Sequence, residues 1–208
     1  MKLFNYDSPF WSFLNKIADL VLLNVLWLVF CIPIITIGAS TAAMYRVTLN
    51  MHRGEGGGVI STFWNAFKQN IKPGTLIFLV LLVPLVLVIY EAWLYLSGAI
   101  SQSLAMGVVF LFPSLLMALV TTYVYPLVAQ FDNKLLATLK NACLLAIANL
   151  PCSLLMALLN LSAPLLFVFA TGFFFRTGIS WLLIGGALVA FLNTFFIRKI
   201  FKKTFHLE

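Results

Sequence analysis

Charge, acid, histidine and cysteine are all scarce in this sequence. Of 208 residues only 9% are charged, with six Asp and Glu against thirteen Lys and Arg, where a soluble domain carries about 25%. So little charge excludes a soluble fold, and the high apolar content that replaces it excludes a disordered chain. Three cysteines are too few for a disulfide scaffold. They stand at Cys31, Cys143 and Cys152, with no metal-ligand spacing and with the apolar neighbours of small buried hydrophobes. The two histidines, His52 and His206, fall in connector or tail positions, and no HExxH, GxSxG or carboxylate pair lies within an apolar stretch. The glycines after Glu55 have no phosphate-loop lysine. An enzyme is not expected, nor a metal or a cofactor.

What fills the chain is apolar, at 62% of residues. Charge-free runs cover 20–45, 73–90, 92–131, 141–175 and 177–197, each at or near the ~20 residues that cross a bilayer core. The expected fold is an all-α polytopic membrane protein with five full transmembrane helices, a short sixth arm, and interfacial amphipathic helices on the cytoplasmic side. A net charge of +7 suits nucleic acid only when the cations share a solvated surface. Here they mark connectors between apolar runs, so the partner is the lipid bilayer and no nucleic acid is expected.

Cationic connectors stay in the cytoplasm. That rule places residues 46–72, the Lys134 region and the C-terminal Arg198, Lys199, Lys202 and Lys203 on one side, with outer turns at 97–103 and near Arg176. Proline kinks a helix, and Pro151 and Pro164 shape the long run before Arg176. It reads as an interfacial helix over 135–150, a Pro164-kinked span over 151–173 and a last span over 179–197. The first unit is irregular. Pro33 and Gly38 break its helix, and Ser40 or Thr41 can cap a second helix that stops at Gly54. If this arm returns to the cytoplasm, both termini are inside and only Arg176 of the 13 cations lies outside. If it lies shallow, Lys2 and Lys16 are outside too and there are five crossings. The hairpin keeps more cations inside and is preferred.

Three cytoplasmic entries look alike: FWSFLNK from Phe10, FWNAFKQN from Phe63 and LLATLKNA from Leu135. In the second, Ile60, Phe63, Trp64, Phe67 and Ile71 recur at the three- and four-residue intervals of an amphipathic helix. Ser8, then Ser61 or Thr62, then Asp132 or Asn133 are the corresponding N-cap candidates. One membrane domain of three units follows, 1–58, 59–131 and 132–208, each an interfacial helix with a hairpin, unless the likeness is chance among Leu- and Phe-rich segments. Trp11, Trp64, Phe67, Arg46 and Arg53 are the candidate contacts for a partner or for anionic headgroups, since large aromatics beside cations suit both. Asp19, Asn24 and Arg46, with the break at 33–41, form the candidate polar cluster of a carrier. Gly186 and Ala190 form a small-xxx-small pair that serves packing within the chain or a homodimer.

The string SPFWSFLNKIADLVLLNVLWLVFCIPIITIGASTAAMY from Ser8, then Arg53, Glu55 and FWNAFKQNIK from Phe63, resembles the YesL family of bacterial integral membrane proteins. The likeness is specific over Ser8 to Thr75, and the spacing of spans agrees to the C-terminus. Where that family tends to have a second acidic residue and an aromatic after Glu55, this chain has Gly56, Gly57 and Gly58. The resemblance implies a bacterial integral membrane protein working near carbohydrate uptake, and the cationic tail puts its C-terminus on the cytoplasmic side of the plasma membrane. The expected function is a non-catalytic accessory or regulatory partner of an ABC-type sugar transporter, contacting transporter subunits or a sensor kinase. The alternative is a small-solute or oligosaccharide carrier or channel.

Overall fold

The computed structural model describes residues 9–55, 57–99, 103–169 and 171–205, with side chains apart from those of 9, 104, 163–169 and 171–181. The Ser8 cap, Lys2 and the side chains of Pro164 and Arg176 lie outside the described residues. Every regular element among those described is a helix: α1 Pro9–Cys31, α2 Ile37–Arg53, α3 Val59–Leu96, α4 Leu104–Gln130, α5 Leu135–Ala148, α6 Leu150–Phe169 and α7 Thr171–Phe205, with one 3₁₀ turn at Ile34–Thr36. Four of them, α1, α3, α4 and α7, are long and apolar enough to cross a membrane. The bent pair α5–α6, turning through 109°, makes a fifth if taken as one broken span.

Pro33 ends α1 as expected, because it brings no amide proton and disfavours helical backbone at Ile32. Thr36 closes the turn, its hydroxyl donating to the carbonyls of Phe30 and Pro33 at 2.6 and 2.7 Å. The next helix starts at Ile37, three or four residues before the expected Ser40 or Thr41 cap. Gly38 is therefore no breaker. It lies inside α2, where a Cβ would stand 2.1 Å from the carbonyl oxygen of Gly74, and a Cβ on Gly74 would meet the Ala39 nitrogen at 2.7 Å. Two glycines let α2 and α3 touch backbone to backbone. At its far end α2 stops where the sequence indicates, at Gly54, whose φ of 69° and bond to Asn50 O form a left-handed cap.

α2 is the centre of the bundle and packs against α1, α3, α4 and α7. Ten of its 17 residues are buried, mostly small ones from Gly38 to Ala43 and then Met44, Tyr45, Val47, Thr48 and Leu49. The short sixth arm thus lies inside the protein. The tight 54–58 connection folds α3 back antiparallel to it, with Gly74 opposite Gly38.

The buried stripe of α3 runs Val59, Phe63, Ala66, Phe67, Asn70, Gly74, Ile77 and Leu81. The expected interfacial stripe is split by it: Phe63 and Phe67 face the core, while Ile60, Trp64 and Ile71 stay exposed. This segment and the following span form one continuous helix. The first expected interfacial helix, around Phe10, is likewise continuous with α1. The third is separate, as expected, with α5 turning into α6 at Asn149. α7 begins at Thr171, so Arg176 lies within that helix and not in a loop.

The cations mark one end of the bundle. Phe131, next to the Lys134 connector, packs against Phe201 and Phe205 of the basic tail at 4.8–5.6 Å. Asn70 and Pro73, flanking Lys72, share a cleft with Asp132 to Leu135. The C-terminal end of α1 belongs to this basic end, because the Phe30 ring touches Phe63, Trp64 and Phe67 at 4.7–5.5 Å. Asn24, nearer the N-terminus, meets α7 at Leu182 and Ala187. Trp27, one turn further along α1, meets the same stretch of α7 at Gly186. α2, short and rich in small and polar residues, packs inside the bundle and is not among the helices long and apolar enough to cross a membrane.

Gly38→Ala should lower stability by about 1–3 kcal/mol, the usual result of overpacking. A fall in the thermal unfolding midpoint in detergent, absent in Ala137→Leu on the exposed side of α5, checks it.

Candidate functional site

A cavity of about 450 Å³ lies between α1, α2, α4, α6 and α7, within the roughly 300–1,000 Å³ of small-molecule sites. Its polar lining is uncharged: Asn24 and Trp27 of α1, Thr41 and Tyr45 of α2, Thr121 and Tyr125 of α4, and Asn160 of α6. Leu28, Met44, Leu182, Val189 and Ala190 complete the wall, with Gly185 and Gly186 opening it on the α7 side.

Each polar group is placed by a specific bond. Asn24 grips α7, its Nδ2 donating to Leu182 O at 2.6 Å and its Oδ1 accepting from Ala187 N at 2.8 Å. In a regular helix that amide bonds the carbonyl four residues earlier. A Cβ on Gly186 would approach Asn24 Oδ1 to 2.9 Å and the Trp27 ring to 3.1 Å. The small-xxx-small pair Gly186 and Ala190 is therefore occupied within the chain. Trp27 Nε1 donates to Thr41 Oγ1 at 3.2 Å, and Ser40 Oγ donates to Trp27 O at 3.0 Å.

A second chain of bonds crosses four helices. Thr122 of α4 accepts from Asn160 Nδ2 at 3.1 Å, Asn160 Oδ1 accepts from Asn193 Nδ2 of α7 at 2.7 Å, and Asn193 also donates to the Tyr45 hydroxyl at 3.3 Å. Among the described residues, Asn193 Oδ1 is buried without a donor. One turn further, Thr48 and Thr194 share a hydrogen bond of 2.8 Å. His52 stacks on Phe191 at 4.1 Å, and Arg198 donates to His52 O at the α2 C-terminus, where a cation suits the helix dipole.

Tyr125 differs from the rest. It lines the cavity, and among the described residues no hydrogen bond fixes its hydroxyl. An uncharged chamber with one free phenol, an indole face, hydroxyls and amides can hold a neutral polar molecule. It offers no charge to neutralise an anion or a cation.

Of the expected polar cluster, only Asn24 reaches this cavity. Asp19 is half-buried on α1, and Arg46 points away, donating to Ala129 O at 3.2 Å. The expected docking residues do not gather either. Trp11 stands on the first turns of α1, against Phe10, while Trp64 lies on α3. Phe67 is 7% exposed and belongs to the core. Arg53 pairs with Glu55 at 3.6 Å. Trp64 alone stays on the surface, 42% exposed with the Lys68 ammonium 4.7 Å over its ring. Trp27, Tyr45 and Tyr125 were not singled out by the sequence, and Thr41 was read only as a cap and as the end of the break. For Tyr45 the signal was the run of small residues beside it, which allows a helix to be buried on all sides.

Asn24→Leu leaves the Ala187 amide without its side-chain acceptor, and a buried unpaired donor costs about 1–3 kcal/mol. Hydrogen exchange at Ala187 should accelerate while exchange in α4 keeps its rate.

Comparison with protein families finds a match over residues 20–92 to a model described as a protein of unknown function, DUF624. The matched stretch holds the α1–α2 break, the Gly38–Gly74 contact and four of the cavity's polar residues, Asn24, Trp27, Thr41 and Tyr45. Searches of curated proteins and of solved structures find no match.

Proposed function

We propose that this chain is a non-catalytic, multi-pass protein of the bacterial plasma membrane that binds a small uncharged polyol of the sugar class in its central cavity. The resemblance to the YesL family supports a place beside carbohydrate uptake, where an ABC-type transporter or a sensor kinase is the natural partner. The observation behind the binding reading is the charge-free polar lining, with the free hydroxyl of Tyr125 as an anchor. Sugars present donors, acceptors and apolar ring faces together, which suits a mostly apolar cavity with a few fixed polar groups and aromatic side chains. This favours the carrier or receptor role over the accessory role, because the accessory docking face keeps only Trp64 at its surface.

In this reading the crossings are α1, the second part of α3, α4, α6 and α7, while α2 and α5 do not cross. The basic end faces the cytoplasm, since cationic connectors stay there. Lys68, Lys72, Lys134, Lys202 and Lys203, all exposed, form its rim. The N-terminus is then outside and the tail inside.

In a chain with Cys31, Cys143 and Cys152 replaced by alanine, a cysteine at Ser12 should react with an impermeant maleimide on intact cells. One at Thr204 should react only after lysis; labelling of both from the same side overturns the five-crossing arrangement. For the site, tritiated maltose should bind the purified protein saturably, and Tyr125→Phe should weaken it about tenfold, the equivalent of about 1.4 kcal/mol. A folded, monodisperse protein that binds neither maltose nor glucose overturns the reading.

A further inference from the structure

The central cavity does not end at its polar lining. Thr121, Tyr125 and Asn160 also line a second cavity of about 440 Å³, enclosed by α3, α4 and α6. Beyond it, Val88, Leu111 and Ser114 are shared with a third of about 370 Å³, which reaches Tyr95 and Gly107. The second and third follow the α3–α4 seam from Phe78 to Tyr95. At 1.5 Å per residue that is a path of about 25 Å.

Polarity changes abruptly along this path. The second cavity is walled by Phe78, Leu81, Leu85, Val88, Leu115 and their neighbours. Apart from the three residues at the junction, its one polar group is Ser114, whose hydroxyl already donates to Phe110 O at 2.7 Å. Its rim opens sideways, with Leu85, Leu111 and Leu115 41–68% exposed on the flank that faces lipid if α3 and α4 cross the membrane. A long, narrow, apolar void of this kind fits an alkyl chain, and the polar chamber at its inner end fits a hydroxylated head. The polar end also lies nearer the basic end, so a lipid from that leaflet would enter with its head and tail correctly oriented.

The head has to be neutral. A phosphate in the chamber would lose its hydration with no cation to replace it. Arg46, the nearest basic residue on α2, does not line the cavity and is held by Ala129 O.

We propose that the joined cavities bind an acylated neutral polyol, an acylglycerol or its glycoside, with the head beside Tyr125 and Asn160 and one acyl chain along the α3–α4 seam. This rests on the central cavity being a binding site for polyols, and it adds that the preferred ligand is membrane-borne.

The test uses the full chain in phosphatidylcholine vesicles and a monoacylglycerol with a diazirine near the end of its acyl chain. The same chain on phosphatidylglycerol is the control. Photolysis should attach the monoacylglycerol to α3 and α4 between residues 78 and 114, several-fold more than the control. Leu115→Trp, which narrows the seam at a partly exposed position, should abolish that labelling while maltose binding persists. Equal labelling by both probes, or labelling unchanged in Leu115→Trp, means ordinary boundary lipid and overturns the proposal. Should maltose bind but the monoacylglycerol fail, only this inference falls. Should neither bind to a folded protein, the polyol site itself falls with it. Labelling at those positions that unlabelled glycosyl diacylglycerol displaces, and unlabelled phosphatidylglycerol does not, supports the proposal independently of the variant.

Discussion

A bilayer gives packed helices no hydrophobic reward for touching each other, since lipid tails are as apolar as leucine, and close van der Waals approach has to supply the cohesion. In this protein such an approach occurs at Gly38 and Gly74, where two helix backbones meet with no room for a methyl group. That contact fixes the register of α2 against α3, and the register fixes the rest. It turns Phe63 and Phe67 inward to meet Phe30, and so ties the end of α1 to the start of α3. It also sets Tyr45 and Thr48 opposite Asn193 and Thr194 of α7.

With a short helix enclosed in this way, polar groups have to be satisfied within the protein. Each interhelical hydrogen bond in a membrane contributes only about 1 kcal/mol or less, yet an unpaired group in hydrocarbon would cost several. The chains of bonds through Asn24, Trp27 and Thr41, and through Thr122, Asn160, Asn193 and Tyr45, therefore specify which helices neighbour which more than they strengthen the bundle. The cavity lies among them because side chains committed to each other cannot also fill the space between the helices.

Much of the helical framework was legible in the sequence, and the reasons are local. Charge-free runs near the bilayer length, Pro33 at the end of α1 and Gly54 at the end of α2 act through the residues themselves. The neighbour of α1 was not legible, because the pairing of Asn24 with Leu182 and Ala187 joins residues more than 150 apart in the chain. Gly38 was misread as a breaker because a glycine that ends a helix and one that admits a neighbour look alike until the neighbour is known. The aromatic stripe from Ile60 to Ile71 was real, but its partner was taken to be lipid, and α2 claims half of it. Tyr125 carries no local signal at all, since one tyrosine in an apolar run becomes distinctive only when four other helices leave space in front of it.

The grip of Asn24 on α7 has a mechanical consequence. Because the amide is held at both ends by backbone groups of one turn, α1 and α7 cannot slide along each other without breaking both bonds at once. α2 is keyed to α7 through Thr48 and His52, so α1, α2 and α7 behave as one block. α4 and α6 meet that block beside the cavity, where the 2.7 Å bond between Asn160 and Asn193 bridges the divide. The Arg46 bond to Ala129 O crosses the same divide from α2 to α4, so parting the two blocks means breaking a pair of amides and a guanidinium bond together.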